Sequence, residues 1–446
     1  MLFNPEIEQL PRPRLRALQN ERLREQVAYL AARVPFYQRR FAELGINPAT
    51  FRGLDDLPKL GFTKKADFRD NYPFGLFAVP QAEVARLHCS SGTTGKATVV
   101  GYTTGDLAIF AEVVARSLAA AGCRPGMKLQ NAYGYGLFTG GLGIHYGAER
   151  LGLTVIPVSG GSTDRQLQLL QDFQPEILCA TPSYAQVLAE EIARRGIGLD
   201  GLSLRYAALG AEPWSEALRA QVQAGLGVAA TNIYGLSEII GPGVAQEAVE
   251  ERGTGSYVWE DHFLPEVVDR DTGEPLPEGE LGVLVFTTLT KKALPVLRYW
   301  TGDITDLHHD PHGRRTHVKM GPIRGRADDM LIIRGVNFFP TQVEAIISGL
   351  AHLSPSYQVV ATRRGHLDEV EVRVEVAEPL LRELGLGTLT PADVAAHDCL
   401  RALQGTFAKK IKDNIGLSMT VSLLGPGQLP RSEGGKLSRV RDERGI

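Results

Sequence analysis

The chain has 446 residues, 43% of them hydrophobic, and a formal net charge of −3, an ordinary globular composition long enough for two or three domains. That near-neutral balance supplies no field for nucleic acid or an anionic membrane, and no apolar run reaches the length of a membrane span. Four scattered cysteines, Cys89, Cys123, Cys179 and Cys399, show no C-x-x-C or Cys/His spacing. With a polar first segment lacking an apolar leader, they predict free thiols in a reducing, cytoplasmic setting.

Leu23, Val27, Leu30 and Val34 fall at helical spacing, and Pro35 is expected to end that run. Next comes His88-Cys89-Ser90-Ser91-Gly92-Thr93-Thr94-Gly95-Lys96. Two glycines three apart let the backbone bend and bring its N–H groups to an anion, and four hydroxyls and one ammonium add donors. Such a loop suits a polyphosphate. It is not a Walker A loop, since its glycines are too close and Ala97 follows the lysine.

From about residue 105 short buried strands alternate with helices. Helices are predicted over 106–121, 165–173, 182–195 and 214–224, and strands over 128–132, 153–158, 177–180, 206–209 and 229–233. This alternation implies an α/β fold with a parallel sheet, whose ligand loops follow the carboxyl ends of the strands. Gly210-Ala211-Glu212-Pro213 and Tyr234-Gly235-Leu236-Ser237-Glu238 fall at such ends. A glutamate there can hold Mg²⁺ against phosphate, because Mg²⁺ favours hard oxygen ligands. Short strands over 267–289 and 298–319 then suggest a small antiparallel sheet or barrel, and Asp303, after a glycine turn, can accept ribose hydroxyls.

After about residue 328 a smaller α+β unit is expected, with a helix at 341–348, a strand at 370–376, a helix over 392–414 and a strand at 419–424. Gly325-Arg326-Ala327-Asp328-Asp329 and Arg334-Gly335-Val336-Asn337 lie where the texture changes. Near the end, Gly434-Gly435-Lys436 puts a lysine on a glycine-bearing segment, where it could enter a site and neutralise a phosphoryl transition state.

Each of these segments resembles a motif of the adenylate-forming superfamily of acyl- and aryl-CoA synthetases, adenylation domains and luciferases, and they occur in its order. The closer resemblance is to the phenylacetate–CoA ligase family. It rests on Ser90 to Tyr102, Tyr133-Gly134-Tyr135-Gly136-Leu137-Phe138-Thr139-Gly140-Gly141, His145 to Arg150, Gly210 to Trp214, Trp259-Glu260-Asp261-His262-Phe263 and Asp328 to Glu344.

The resemblance implies an AMP-forming aryl-acid–CoA ligase: ATP and a carboxylic acid give an acyl-adenylate, and coenzyme A displaces AMP. Carried over by motif, Ser90, Ser91, Gly92, Thr93, Thr94, Gly95 and Lys96 cradle the β- and γ-phosphates, and Glu238 holds Mg²⁺. Gly210, Ala211, Glu212, Pro213, Tyr234, Gly235 and Ser237 border the nucleotide, Asp303 takes the ribose, and Arg326 reaches ribose or phosphate. Lys436 contacts the carboxylate and α-phosphate, and Asp328 is the hinge of a mobile C-terminal domain, 328–446, set against an N-terminal domain, 1–327. The acid pocket is placed among Tyr133, Tyr135, Gly136, Phe138, Thr139, Gly140 and Ile144.

Two departures stand out. The stretch 244–250 lacks the cysteines that bind zinc in some members, so no zinc is expected, and Trp300 occupies the place of the family's usual arginine. Transfer of the acyl group to a carrier-protein thiol or an amine shares the first half-reaction and is the alternative reading. A non-catalytic nucleotide-binding regulator is the rival of another class. Neither nucleic acid nor membrane is an expected partner, and a homodimer is left open.

Overall fold

Pro35 begins a helix as well as ending one. In the computed structural model α1 (Pro5–Glu8) is followed by α2 (Arg12–Arg33), whose Leu15, Leu23, Val27 and Leu30 are fully buried. Helix α2 stops at Val34, and Pro35 takes the first turn of α3 (Pro35–Glu43), where an absent N–H has no helical partner to lose. The structure describes residues 1–90, 98–327, 331–333, 336–364, 367–429 and 439–444. The chain divides into two compact units, Met1–Glu212 with Ala220–Ile323, and Pro213–Arg219 with Arg324–Ile446.

In the first unit α4 (Lys65–Asp70) precedes an antiparallel ribbon of β1 (Arg86–Ser90) and β2 (Thr98–Tyr102). Helix α5 (Thr104–Ala120) starts at a capping box in which Thr103 and Asp106 exchange side-chain-to-backbone bonds. The strand–helix alternation then appears as expected: β3 (Lys128–Asn131), α6 (Thr139–Leu151), β4 (Thr154–Ile156), α7 (Thr163–Phe173), β5 (Ile177–Ala180), α8 (Pro182–Arg194), β6 (Tyr206–Gly210), α9 (Glu216–Leu226) and β7 (Ala229–Leu236).

Strands β4, β3, β5, β6 and β7 run parallel, in that spatial order. The sheet then turns antiparallel through β8 (Gly241–Glu247) and β9 (Ser256–Val258). It is therefore mixed, and β7 runs three residues beyond the expected end at Ile233. Tyr234 pairs with Ala245 and Leu236 with Gly241, so the Tyr-Gly-Leu segment is strand and not loop. Gly235 permits this, since a Cβ there would lie 1.9 Å from the Gly241 carbonyl oxygen. Three further strands, β10 (Phe263–Val268), β11 (Gly282–Thr288) and β12 (Tyr299–Thr305), form the expected antiparallel sheet, while β13 (Leu307–His308) and β14 (Lys319–Met320) extend the large one.

The second unit contains β15 (Gly325–Arg326), the antiparallel pair β16 (Leu331–Ile333) and β17 (Val336–Phe338), and α10 (Pro340–Ser348). Its sheet has the order β20-β19-β18-β21, from β18 (Leu353–Arg364), β19 (Leu367–Val376), β20 (Thr420–Leu424) and β21 (Val440–Asp442). Val370, Val372, Val374 and Val376 alternate into the core, which is why β19 is legible in sequence. Its partner β18 is not, because Pro355 and a register shift between Leu353 and Tyr357 break the alternation. Helix α11 (Glu378–Glu383) follows β19. The single helix expected over 392–414 is two, α12 (Pro391–Ala396) and α13 (Asp398–Ile415), divided at His397 by an extended backbone with φ −104° and ψ 119°.

All four cysteines are free thiols. Among the described residues, no helix is long and apolar enough to cross a membrane.

Candidate active site

The glycine–hydroxyl segment begins where β1 ends. Ser90 is the last residue of that strand and pairs in register with Thr98; Ser91, Gly92, Thr93, Thr94, Gly95 and Lys96 lie outside the described residues. Asp328 and Lys436 do so too. Arg326 is described, half-buried on β15 of the second unit, and Pro213 also belongs to that unit.

The first unit brings several expected residues together. The Tyr234 hydroxyl, on β7 of the large sheet, donates to Asp303 Oδ2 at 2.6 Å, on β12 of the antiparallel sheet. Two motifs 69 residues apart therefore meet in one hydrogen bond. Thr139, at the first turn of α6, and Ser237, just past β7, share a hydroxyl contact of 3.2 Å. Glu238 follows, only 7% exposed. Gly210 closes β6 beside β7, where a Cβ would lie 2.0 Å from the Ile233 carbonyl oxygen. Ala211 then takes a left-handed φ of 71°, and Glu212 accepts a bond from the Ser183 N–H at the start of α8.

The aromatic loop between β3 and α6 is held by polar bonds that the sequence did not reveal. Asn131 Nδ2 donates to the Tyr135 hydroxyl at 2.8 Å and to the Gly141 carbonyl at 2.8 Å. The same hydroxyl is 3.1 Å from His145 Nδ1, whose other nitrogen is 3.2 Å from Glu149 Oε1. Burial pushes the Tyr135 phenol up to about 12, so it stays protonated. Gly141 has to be glycine, since a Cβ would meet the Gly134 carbonyl oxygen at 2.4 Å, whereas Gly136 borders open space. Tyr133 is buried, Phe138 is 40% exposed, and Ile144 is fully buried in the main core. Trp300 packs edge-to-face on Phe62 at 5.0 Å, with the Lys64 ammonium 5.5 Å from its ring.

Sequence reasoning missed two buried residues beside these motifs. Lys291 donates to the Glu238 carbonyl at 3.3 Å and lies 4.9 Å from the centre of the Tyr102 ring. Burial pushes its ammonium down to about 8, against the pull of Asp106 and Glu238. His88, directly before the glycine segment, is 1% exposed, and burial lowers its pKa. The available signals were two lysines inside the apolar run 289–297 and a histidine two residues before the serine pair.

Among the described residues no group of three or more His, Cys, Asp or Glu side chains could hold a metal by itself. Glu238 fits a lesser role: one hard carboxylate oxygen for Mg²⁺, the remaining ligands coming from phosphate and water.

Residues 18–289 match the family model for AMP-binding enzymes and 335–444 the model for the AMP-binding enzyme C-terminal domain. The phenylacetate–coenzyme A ligase of Thermus thermophilus is 66% identical over 445 residues, covering 100% of both chains. That of Pseudomonas putida is 53% identical over 96% of this chain and 94% of its own. Among solved structures, 2-hydroxyisobutyryl-CoA ligase in the postadenylation state, in complex with R3-HIB-AMP, superposes with a TM-score of 0.87 at 26% identity, over 99% of this chain and 92% of that one.

Proposed function

The chain belongs to the phenylacetate–coenzyme A ligase family of AMP-binding enzymes, and from this we infer that it joins an aryl acid, phenylacetate first among them, to coenzyme A at the expense of ATP. The hydrogen bond between Tyr234 and Asp303 supports the reading within this chain, because it sets an aromatic ring beside the carboxylate that would take the ribose hydroxyls.

In the first half-reaction a carboxylate oxygen attacks the α-phosphorus, the bond to the β-phosphate oxygen breaks, and pyrophosphate leaves with the acyl-adenylate formed. Nucleophile and electrophile are both anionic, so catalysis rests on charge neutralisation and positioning. Ser90 to Lys96 would hold the terminal phosphates, Asp303 the ribose, and Gly210 to Glu212 with Tyr234 the adenine. Mg²⁺ held by Glu238 would neutralise charge on the phosphates. The Tyr133–Gly140 loop would face the ring of the acid, its Tyr135 hydroxyl tied back to Asn131 and His145 so that the ring presents its apolar face. In the second half-reaction the coenzyme A sulfur attacks the acyl carbon and AMP departs. The C-terminal domain, 328–446, would turn about Asp328 between the two steps, carrying Lys436 to the α-phosphate for the first and away for the second. A cytoplasmic location accords with these substrates.

Incubation with phenylacetate, ATP and coenzyme A should give phenylacetyl-CoA by mass. Lys436→Ala should lower pyrophosphate release at least a hundredfold, a barrier increase of about 2.7 kcal/mol. Thioester formation from supplied phenylacetyl-adenylate should stay near the wild-type rate. Adenylation within about tenfold of wild type would remove Lys436 from the first step.

A further inference from the structure

Fully buried lysines are rare, and those that occur are held by a partner. Lys291 is 2% exposed, and its one hydrogen bond among the described residues goes to the Glu238 carbonyl at 3.3 Å. The loop that carries it is anchored on both sides. Before it, the Leu289 N–H donates to the His262 carbonyl at 2.8 Å, and the Thr290 hydroxyl lies 2.7 Å from His262 Nδ1. Its own carbonyl accepts from Gln26 Nε2 at 2.7 Å. After it, the Asp106 carboxylate accepts from the N–H groups of Lys292 and Ala293 at 2.7 and 2.8 Å. A long lysine side chain ordinarily carries its charge out to water. This anchored loop delivers it to a turn of the backbone instead.

That turn runs from Leu236 to Ile240, where the N–H groups of Ile239 and Ile240 both donate to the Leu236 carbonyl, at 3.1 and 3.2 Å. Two further carbonyls of the turn are each taken by a buried side chain. Glu238 receives Lys291, and Ile240 receives the Tyr102 hydroxyl at 2.9 Å. Tyr102 is fully buried, and the ammonium stands 4.9 Å from the centre of its ring, so the two donors also support each other. Neither bond is made to the Glu238 carboxylate. Both fix the backbone from which that carboxylate projects.

We propose that Lys291 and Tyr102 are positioning residues that hold the Glu238 turn, so that its carboxylate meets the Mg²⁺ of the bound nucleotide in a fixed place. The proposal rests on the ligase reading with Glu238 as the Mg²⁺ ligand, and it adds the two residues that stand behind that ligand. Groups that orient a metal ligand typically govern metal affinity by about 10–100-fold. A lysine acting by charge on the phosphates would behave differently. Its loss would be felt most without Mg²⁺, when the nucleotide carries more negative charge.

The test is calorimetric titration of the full chain with α,β-methylene-ATP, which binds without reacting, in saturating Mg²⁺ and in EDTA. Lys291→Met should weaken binding about tenfold in Mg²⁺ and less than about twofold in EDTA. Tyr102→Phe keeps the ring beneath the ammonium and removes only the bond to Ile240. It should show the same Mg²⁺-dependent loss, at least about threefold, and it carries the test should Lys291→Met not fold. Glu238→Gln should abolish most of the gain that Mg²⁺ brings. Either substitution added to Glu238→Gln should then cost less than about twofold more, because residues that act through one group are not additive with its removal. A loss equal with and without Mg²⁺, or larger without it, overturns the proposal. So does an undiminished loss in the Glu238→Gln background, normal binding by both variants, or a Glu238→Gln protein that keeps its full response to Mg²⁺. Wild-type protein that forms phenylacetyl-CoA while these variants bind normally refutes only this inference, whereas protein that forms no phenylacetyl-CoA refutes the ligase reading beneath it.

Discussion

Two groups of buried charge in the first unit behave in opposite ways. Around α5 and β10 the charges are fully paired: Arg116 makes two bonds to Asp261, at 2.8 and 3.0 Å, and a third to Glu112. Both partners of the central pair have side chains 2% exposed. Arg315 with Glu8 and Arg298 with Glu266 repeat the pattern. Beside the candidate site, Lys291 is equally buried, but its ammonium meets a backbone carbonyl and an aromatic ring, with no carboxylate of the described residues within ion-pair distance. A buried charge with a partner is a device of architecture. One without a partner costs stability and is kept where a ligand's charge can meet it.

Disruption of the paired group should have the largest effect. Arg116→Met leaves the buried Asp261 carboxylate with only His262, at 3.2 Å, and Arg22, at 3.9 Å, which should cost about 3 kcal/mol in urea unfolding at neutral pH. Burial alone would raise the Asp261 carboxyl, but the charges of His262 and Arg116 and the Arg116 hydrogen bonds hold it well below the usual carboxylate range. A depressed carboxylate stabilises the fold above its unfolded pKa near 3.9, and that contribution fades as pH falls towards the folded value. The deficit of Arg116→Met should therefore narrow below about pH 4. An unchanged deficit would assign the loss to packing against Trp259.

Asp303 accepts a hydrogen bond from Tyr234 and is the carboxylate proposed to take the ribose. Asp303→Ala should raise the KM for ATP at least tenfold, about 1.4 kcal/mol, with a smaller loss of stability. A KM within twofold of wild type would take the ribose away from this carboxylate.

The smallest change in stability belongs to the unpaired charge. Lys291→Met removes a buried ammonium and keeps the volume, so unfolding free energy should move by no more than about 1 kcal/mol. The KM for MgATP should nevertheless rise, as the Glu238 turn loses its donor. A loss of about 3 kcal/mol or more would place Lys291 with the architectural charges and erase the contrast.

Legibility in the sequence followed the same division. The β–α alternation from β3 to β7, the valine alternation of β19 and the ordered motifs were readable because each is local, repeating at the period of its own element or held within a few residues. What could not be read depended on partners distant in sequence. Tyr135 looked like an aromatic wall, but its hydroxyl is spoken for by Asn131 and His145. The extension of β7 depends on β8 lying against it and on Gly235 allowing the approach. His88 looked like the preface to a loop until Leu137, 49 residues away, arrived at its ring.

The sequence alone determined the class of the fold and pointed to the groups proposed to handle the nucleotide, since glycine spacing, hydroxyls and carboxylates carry their chemistry in the residue itself. Only the tertiary structure decided which of these groups meet. It joined Tyr234 to Asp303, set Thr139 against Ser237, and buried Lys291 against the Glu238 carbonyl and His88 against that of Leu137. Burial and pairing are properties of the packed chain, fixed when strands far apart in sequence exclude water from one another.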